Sequence, residues 1–143
     1  VTIPLVERSA FNFILIRYAE VLLTYAEAQN EASGPDQSVY DAINQLRRRP
    51  DINMPEVPKG LTKDQMREVI RRERRIELTF EGLYYSDILR WKTAEKENNG
   101  MMHNYDGIEV VKRSFNPKRD YLWPIPYNQT VLNPNLEQNP NWD

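Results

Sequence analysis

The sequence predicts a mainly α-helical protein of tetratricopeptide-like helix pairs, with an irregular C-terminal segment rich in Pro and Asn packed on them. Two observations predict this fold class. Apolar residues recur at helical spacing through four stretches between residues 13 and 97, and turn residues separate these stretches. Beyond residue 98 this spacing disappears, and four prolines fall between residues 120 and 143. The length of 143 residues is that of about one domain.

The first predicted helix covers residues 13–32, which include neither Gly nor Pro. Asn12 precedes it as a candidate N-cap, and Gly34 follows it as a candidate C-cap. Its apolar positions are Ile14, Tyr18, Val21, Leu22, Tyr25 and Ala26, widened by Leu15, Ala19 and Leu23. Because these positions extend well past a single face, we expect this helix to be sandwiched between neighbours.

Two further helices are predicted from similar patterns. The second covers residues 37–49 and is ended by Pro50, which cannot continue a helix. The fourth covers residues 84–97 and stops at Asn98-Asn99-Gly100. Helices one and two, then three and four, form two pairs. The first pair partly matches the tetratricopeptide pattern through Tyr25, Ala26 and Ala28, then Ala42, Leu46 and Pro50. A short strand is predicted within residues 107–115, and the remainder is predicted to be irregular.

The third predicted helix begins after Thr62, where Gln65 completes a capping box. It is predicted to reach Phe80 or Glu81 and to be closed by Gly82. At about 100° per residue, one face is predicted to carry Met66, Val69, Ile70, Ile76 and Phe80, with Glu73 at its centre and Glu77 beside it.

Two carboxylates one turn apart on an apolar face admit two interpretations. One is a general acid/base pair, as in glycoside hydrolysis, where two carboxyl groups flank the scissile bond. The other, which we favour, is that Glu73 and Glu77 are buried and paired with arginine, because unpaired burial of a charge is costly. The candidate partners are Arg17, Arg47, Arg74 and Arg90.

Aromatic and amide residues form a second candidate site in the C-terminal half. Flat rings can stack on the apolar face of a sugar, and amides can bind its hydroxyl groups. From this group we predict glycan contacts at Tyr84, Tyr85, Tyr105 and Asn104. The alternative for the large rings is a core role, which for Trp91 and Trp123 would require a partner for the indole N–H.

Composition excludes several classes of function. The chain has no Cys, which excludes disulfides, thiolate metal sites and thiol nucleophiles, and its single His103 has no ligand partner at useful spacing. We therefore predict no cofactor and no metal. The net charge is −2, and glutamates interleave the arginines of the third helix, so no nucleic-acid partner is predicted. No apolar run approaches 18 residues.

Three blocks of sequence follow one another along the chain. They are Ile14–Leu23 with Tyr25–Ala28; Ala42–Arg49 with Glu73–Leu78, Glu81-Gly82 and Asp87–Trp91; and Leu122–Pro126 with Asn133–Pro140. In this order they resemble the C-terminal part of SusD-like (RagB/SusD) nutrient-binding proteins. Two departures are visible: Tyr84 stands where the family usually has Arg, and Arg49-Pro50-Asp51 replaces a common Arg-Ala-Gly.

The resemblance implies a non-enzymatic protein that binds glycans or other nutrients at the exterior face of the bacterial outer membrane. It implies delivery of oligosaccharide to a SusC-like TonB-dependent transporter, and membrane attachment only through a lipid anchor outside this sequence. The matching motif residues are implied to form a structural ion-pair network rather than a ligand site: Arg17, Glu73, Arg74, Glu77, Asp87 and Arg90.

We therefore expect residues 1–143 to form a single domain that is the C-terminal portion of a longer SusD-like protein. Its helix pairs would cover about residues 13–97 and its irregular tail residues 98–143. Two alternative functions stay open: a helix-pair module that binds a protein or peptide, and a glycosidase that uses Glu73 and Glu77.

Overall fold

The computed structural model describes residues 14–142 of the chain, and the candidate cap Asn12 lies outside them. The described part is mainly helical, as predicted. It contains α1 (Tyr18–Ser33), α2 (Gln37–Arg47), α3 (Lys63–Glu77), α4 (Tyr84–Arg90), α5 (Ala94–Glu97), β1 (Gly100–His103), β2 (Glu109–Arg113) and α6 (Tyr127–Leu132). The contacts divide the chain into two compact units that meet in sequence between Thr79 and Phe80.

The first unit is built around α1, which packs against both α2 and α3. Its core is a cluster of buried, mostly aliphatic side chains. The cluster consists of Ala26, Val39, Tyr40, Ala42, Ile43, Val57, Met66 and Ile70. Buried Asn44 holds the loop after α2 against this core, because its Oδ1 accepts a hydrogen bond from the Val57 N–H at 2.9 Å.

The caps of these helices follow local sequence signals. Gly34 ends α1 with a φ of 86° and donates its N–H to the Asn30 carbonyl, which confirms the predicted C-cap. Asp36 caps α2 by accepting hydrogen bonds from the backbone N–H groups of Ser38 and Val39. The predicted capping box is also confirmed, since the Thr62 and Gln65 side chains each bond the other's backbone N–H.

Helix α1 differs from the prediction in its start and in its buried face. It begins at Tyr18, since Arg17 is extended, so residues 14–17 precede the helix. The buried positions are Ala19, Leu23, Ala26 and Asn30, whereas Tyr18, Val21 and Tyr25 are exposed. Spacing alone identified the apolar residues but not which of them contact α2 and α3.

Helix α3 ends at Glu77, earlier than predicted, and its buried positions are Met66, Ile70 and Arg74. Two of the residues predicted for its apolar face, Ile76 and Phe80, are exposed, so that part of the prediction is wrong. The reason for Phe80 is geometric: the chain has left the helix and Phe80 has a φ of 67°. The reason for Ile76 is the rotation of α3 about its axis: Arg74, and not Ile76, lies on the side of the helix that faces the core.

The second unit combines short helices, a hairpin and the irregular tail. The predicted fourth helix is divided into α4 and α5, with Lys92 between them at a φ of 56°. Strands β1 and β2 pair antiparallel, with an irregularity between Met102 and His103. The core of this unit contains Ile88, Ala94 and Phe115, with Tyr84, Leu89 and Tyr121 packed against it. The tail thus supplies apolar side chains to the helices of its own unit.

Candidate functional site

The two carboxylates of α3 each bind arginine. The Glu73 Oε1 atom accepts hydrogen bonds from Arg47 Nη2 at 2.7 Å and Arg47 Nε at 3.1 Å. The same guanidinium donates from Nη1 to the Pro55 carbonyl at 2.7 Å. Only 12% of the Glu73 side chain is exposed, so this pair fixes α3 to the end of α2 and to the following loop.

Glu77 binds two arginines from two other parts of the first unit. Its Oε1 accepts from Arg17 Nη1 at 2.9 Å and from Arg49 Nη1 at 2.8 Å, and its Oε2 accepts from Arg49 Nη2 at 2.6 Å. Arg17 Nη2 also donates to the Glu77 carbonyl at 2.8 Å. These contacts join the residues before α1, the turn that follows α2 and the end of α3.

Although burial opposes ionisation of Glu77, the hydrogen bonds from Arg49 and Arg17 hold the pKa of its carboxyl below the ordinary value of 4.5. A catalytic acid near neutral pH needs a raised pKa and a free oxygen directed at the substrate. Glu77 has neither. The arrangement therefore suits a fixed ion pair better than proton transfer.

The remaining predicted network residues lie in two places. Arg74 is buried in α3 and donates from Nη1 to Thr24 Oγ1 at 3.1 Å, so it contacts α1 rather than Glu73 or Glu77 through that group. In the second unit, Arg90 Nε donates to Oδ1 of buried Asp87 at 2.9 Å. Four of the six predicted network residues therefore make these contacts within the first unit, and Asp87 and Arg90 make theirs within the second.

Arg49 is a partner of Glu77 that was not predicted from the sequence. The sequence pattern placed Arg49 inside the second helix, but α2 ends at Arg47, so helical projection gave the wrong direction for its side chain. Its bidentate bond with Glu77 depends on the turn that follows α2. A possible signal was the Arg47-Arg48-Arg49 run itself, since three adjacent arginines require separate partners or solvent.

The predicted glycan contacts on α4 have different environments. Tyr84 packs against the core of the second unit, and its hydroxyl donates to Glu97 Oε2 at 2.9 Å. Tyr85 makes an edge-to-face contact with Trp123, with ring centroids 6.2 Å apart and an angle of 73°. Both of these rings are exposed, so Trp123 extends the aromatic surface beyond the residues predicted from sequence.

The other two predicted contacts lie in the turn between β1 and β2. Asn104 Oδ1 accepts from the backbone N–H groups of Asp106 at 3.0 Å and Ile108 at 2.9 Å, which fixes the turn. Tyr105 is 97% exposed at this turn. The four candidates therefore occupy two places in the second unit, α4 and the hairpin turn.

No group of three or more His, Cys, Asp or Glu side chains that could hold a metal ion occurs within residues 14–142. In the same part of the chain, none of the helices has the length and apolar character needed to cross a membrane.

Comparison with known proteins decides the family. The sequence model of the SusD family matches residues 5–142. The chain belongs to the SusD family. Two similar curated relatives come from Formosa agariphila: SusD-like protein P2 is 37% identical over 136 residues, and SusD-like protein P38 is 31% identical over 134 residues. They are covered to 26% and 24% of their length, while 92% and 90% of this chain is aligned.

Solved structures of the SusD family share the fold. A SusD homologue from Bacteroides thetaiotaomicron is 35% identical with a TM-score of 0.70, over 90% of this chain and 26% of that chain. A structure described as a SusD-like carbohydrate-binding protein, from Bacteroides fragilis, is 37% identical with a TM-score of 0.77, over 86% and 28%. The chain thus spans about a quarter of the length of these relatives.

In the third SusD-like block, Asn and Gln side chains form hydrogen bonds with backbone groups. The Gln138 side chain bonds both the N–H and the carbonyl of Ile125, at 2.7 and 2.9 Å. Asn139 Nδ2 donates to the Trp123 carbonyl at 2.6 Å, and Trp142 Nε1 donates to the Leu122 carbonyl at 2.9 Å. These side chains satisfy a segment whose prolines interrupt regular backbone pairing.

Proposed function

We propose that the chain is part of a glycan-binding protein without catalytic activity, which delivers oligosaccharide to a SusC-like TonB-dependent transporter. The location proposed with it is the exterior face of the bacterial outer membrane, where a lipid anchor outside these residues would attach the protein. Membership of the SusD family carries this proposal. The similar Bacteroides fragilis structure, described as carbohydrate binding, supports the ligand class.

The carboxylates of α3 give no support to the glycosidase alternative. Glu77 uses both of its oxygens for arginine, and Glu73 accepts two bonds from one guanidinium. A retaining or inverting hydrolase needs one carboxyl protonated and the other directed at the sugar or at water. We therefore propose that this network holds the helices together and does not contact the ligand.

Tyr85 and Tyr105 are the stronger of the four proposed glycan contacts. Both rings are exposed, and a flat ring offers a sugar an apolar face at little cost in conformational entropy. Asn104 is proposed to contribute through its amide nitrogen, since its oxygen already holds the hairpin turn. Tyr84 is the weakest of the four, because its ring is partly buried against the core of the second unit and its hydroxyl donates to Glu97.

The test of glycan binding uses the full polypeptide that the gene encodes, in affinity gels that contain amylopectin, xylan, laminarin or pectin. We expect at least one polysaccharide to retard the protein. Replacing Tyr105→Ala should weaken binding about threefold to tenfold, the size expected for one aromatic contact.

Tyr127→Ala is the matched control, since Tyr127 is an exposed tyrosine on α6 outside the proposed set. It should leave the retardation unchanged. Failure of every polysaccharide to bind would contradict the proposed ligand class. Normal binding by Tyr105→Ala would contradict the assignment of that contact alone.

Co-purification tests the proposed transporter partner. An affinity tag on the full polypeptide should recover a large β-barrel protein from detergent-solubilised outer membranes. If no such partner is recovered under conditions where glycan binding persists, the proposed delivery role is contradicted and the proposed binding role is not.

A further inference from the structure

The second unit contains the only Asn-Gly dipeptide of the sequence, Asn99-Gly100, which lies between α5 and the first residue of β1. An Asn that precedes Gly loses its side-chain amide more readily than other asparagines, because a residue without Cβ leaves its backbone nitrogen free to reach the Asn Cγ. Asn99 is also exposed to solvent, which supplies the water that this reaction consumes. The dipeptide is therefore a chemically reactive point in the chain.

The local structure requires both residues of this dipeptide. The Asn99 Oδ1 atom accepts from the Phe115 N–H at 2.7 Å, and Nδ2 donates to the Glu95 carbonyl at 2.7 Å and to the Phe115 carbonyl at 3.3 Å. Gly100 has a φ of 111°, a conformation that strains any residue with a Cβ. The conformation of the chain itself thus calls for a reactive dipeptide at this point.

The three hydrogen bonds of Asn99, here called the Asn99 bridge, close the base of the hairpin formed by β1 and β2. Glu95 belongs to α5, Gly100 begins β1, and Phe115 follows β2 and is buried in the core of the second unit. The Asn99 bridge therefore joins both ends of the hairpin to a helix. It needs an amide, since it uses a donor nitrogen and an acceptor oxygen of the same side chain.

The same bonds oppose the loss of the amide while they are intact. The Gly100 nitrogen has to attack Cγ from above the plane of the amide group, and Cγ becomes tetrahedral as the new bond forms. The Asn99 bridge holds that plane towards Glu95 and Phe115, so the side chain leaves the bridge before the attack. Reaction therefore requires local opening at the base of the hairpin, an event that costs less free energy than global unfolding.

We propose that Asn99 is a site of spontaneous deamidation whose rate is set by opening of the Asn99 bridge. In the opened state the Gly100 nitrogen bonds to Asn99 Cγ, the Cγ–Nδ2 bond breaks, and Nδ2 leaves as ammonia with the proton of the Gly100 N–H. Water then opens the succinimide ring that results. Addition of water at Cγ gives aspartate, and addition at the main-chain carbonyl carbon of residue 99 gives isoaspartate.

The product cannot restore the Asn99 bridge. A carboxylate has no N–H, so the oxygen that replaces Nδ2 would lie at hydrogen-bond distance from two carbonyl oxygens, those of Glu95 and Phe115. Isoaspartate also adds a methylene group to the main chain between α5 and β1. Deamidation therefore leaves the base of the hairpin open. The inference concerns the lifetime of the folded second unit and does not depend on glycan binding.

Peptide mapping tests this inference in the full polypeptide that the gene encodes, incubated at mildly alkaline pH with and without urea. Trypsin releases residues 97–112, which contain Asn99 together with Asn98 and Asn104 as internal controls. Mass spectrometry assigns the mass gained on deamidation to one of the three. We expect Asn99 to react at least about tenfold more slowly in the folded protein than in urea, since only the opened fraction reacts. Asn98 and Asn104 should change little in either condition, because Asn and Tyr follow them.

Phe115→Ala should bring the rate in the folded protein closer to the rate in urea, because loss of the buried ring raises the opened fraction. Tyr127→Ala is the matched control, since it removes an exposed ring of the same unit, and it should leave the rate unchanged. Phe115→Leu is the milder second variant if Phe115→Ala does not fold.

A rate in the folded protein that equals or exceeds the rate in urea would overturn the proposed role of the Asn99 bridge, and so would a Phe115 variant that reacts at the wild-type rate. Conversion of Asn98 as fast as that of Asn99 in urea would overturn the assignment of the site.

Asn99→Asp tests the consequence of deamidation. It should increase hydrogen exchange at the Phe115 N–H about tenfold, the factor expected for loss of one net hydrogen bond. Asn98→Asp is the matched control, because it adds the same charge one residue earlier, and exchange at Phe115 should stay as in the wild type. Wild-type exchange at Phe115 in Asn99→Asp would show that the product can restore the Asn99 bridge and would overturn that part of the inference.

Discussion

The partners of single side chains decide what the α3 carboxylates do. Glu77 is 15% exposed at its side chain, and two guanidinium groups bind it. Removing one partner from such a cluster leaves the remaining charged groups partly buried without an opposite charge beside them. This costs more free energy than the ion pair itself contributes. The network is therefore a feature on which folding depends, whether or not it adds net stability over an apolar cluster.

Glu77→Gln should lower the free energy of unfolding at pH 7 by about 1–3 kcal/mol, the range for loss of hydrogen bonds to a charged group. The folded-state pKa of Glu77 lies below its ordinary value of 4.5, so its stabilisation is fully present above about pH 4.5. As the pH falls through the folded-state pKa, the unfolded chain binds the proton first and this stabilisation is lost. The difference between wild type and variant in urea unfolding should therefore shrink below pH 4.5.

Glu68→Gln is the matched control, because Glu68 is an exposed carboxylate on the same helix. It should change the urea midpoint little at any pH. A Glu77→Gln variant with the wild-type midpoint at pH 7 would show that the arginine contacts contribute nothing to stability.

At the scale of the elements, helix ends follow local chemistry while helix faces follow tertiary packing. Gly34 and the Thr62–Gln65 box act on backbone groups a few residues away, so the sequence alone identifies them. The start of α3 is therefore held by side chains that make no contribution to the core. The end predicted from Pro50 is less exact, since α2 ends at Arg47 and not at Arg49.

Thr62→Ala should destabilise the first unit by about 1 kcal/mol, the usual cost of losing an N-cap side chain. The Gln65 N–H loses its acceptor, the Thr62 hydroxyl, and should exchange with solvent faster. Hydrogen exchange at Gln65 together with urea unfolding measures both effects. Thr62→Ser keeps the acceptor and should restore protection, and unchanged exchange in Thr62→Ala would contradict the role of the capping box.

The limits of sequence reasoning appear at the same scale. Helical projection placed Ile76 and Phe80 on the core face of α3, but the helix ends at Glu77 and Arg74 takes the buried direction. Helical projection does not include the packing partner α1, and contacts with α1 decide which side of α3 is buried. The Arg49–Glu77 bond was missed for a related reason: the prediction extended the second helix to Arg49, whereas α2 ends at Arg47 and the turn that follows directs the Arg49 side chain to Glu77. The Tyr85–Trp123 contact joins positions 38 residues apart in the chain, and no local pattern connects them.

At the scale of the whole molecule, sequence blocks and structure agree on the SusD family, and the chain covers about a quarter of its relatives. Composition alone could not distinguish a binding protein from other helical proteins, because charge and apolar content are ordinary. The resemblance depended on the order and spacing of three blocks, from about residue 13 to residue 142. Such order reflects the whole fold, which explains why it identified the family when single residues did not.

The proposed position at the cell exterior predicts sensitivity to added protease. Proteinase K does not cross an intact outer membrane, so it should degrade the full polypeptide in whole cells only if the protein faces outwards. We expect an antibody against residues 14–142 to lose its signal within the time that a periplasmic marker stays intact. In lysed cells both signals should disappear, which controls for a fold that resists cleavage. A polypeptide that survives in whole cells and is degraded after lysis would place the protein inside the outer membrane and contradict capture of glycans at the surface.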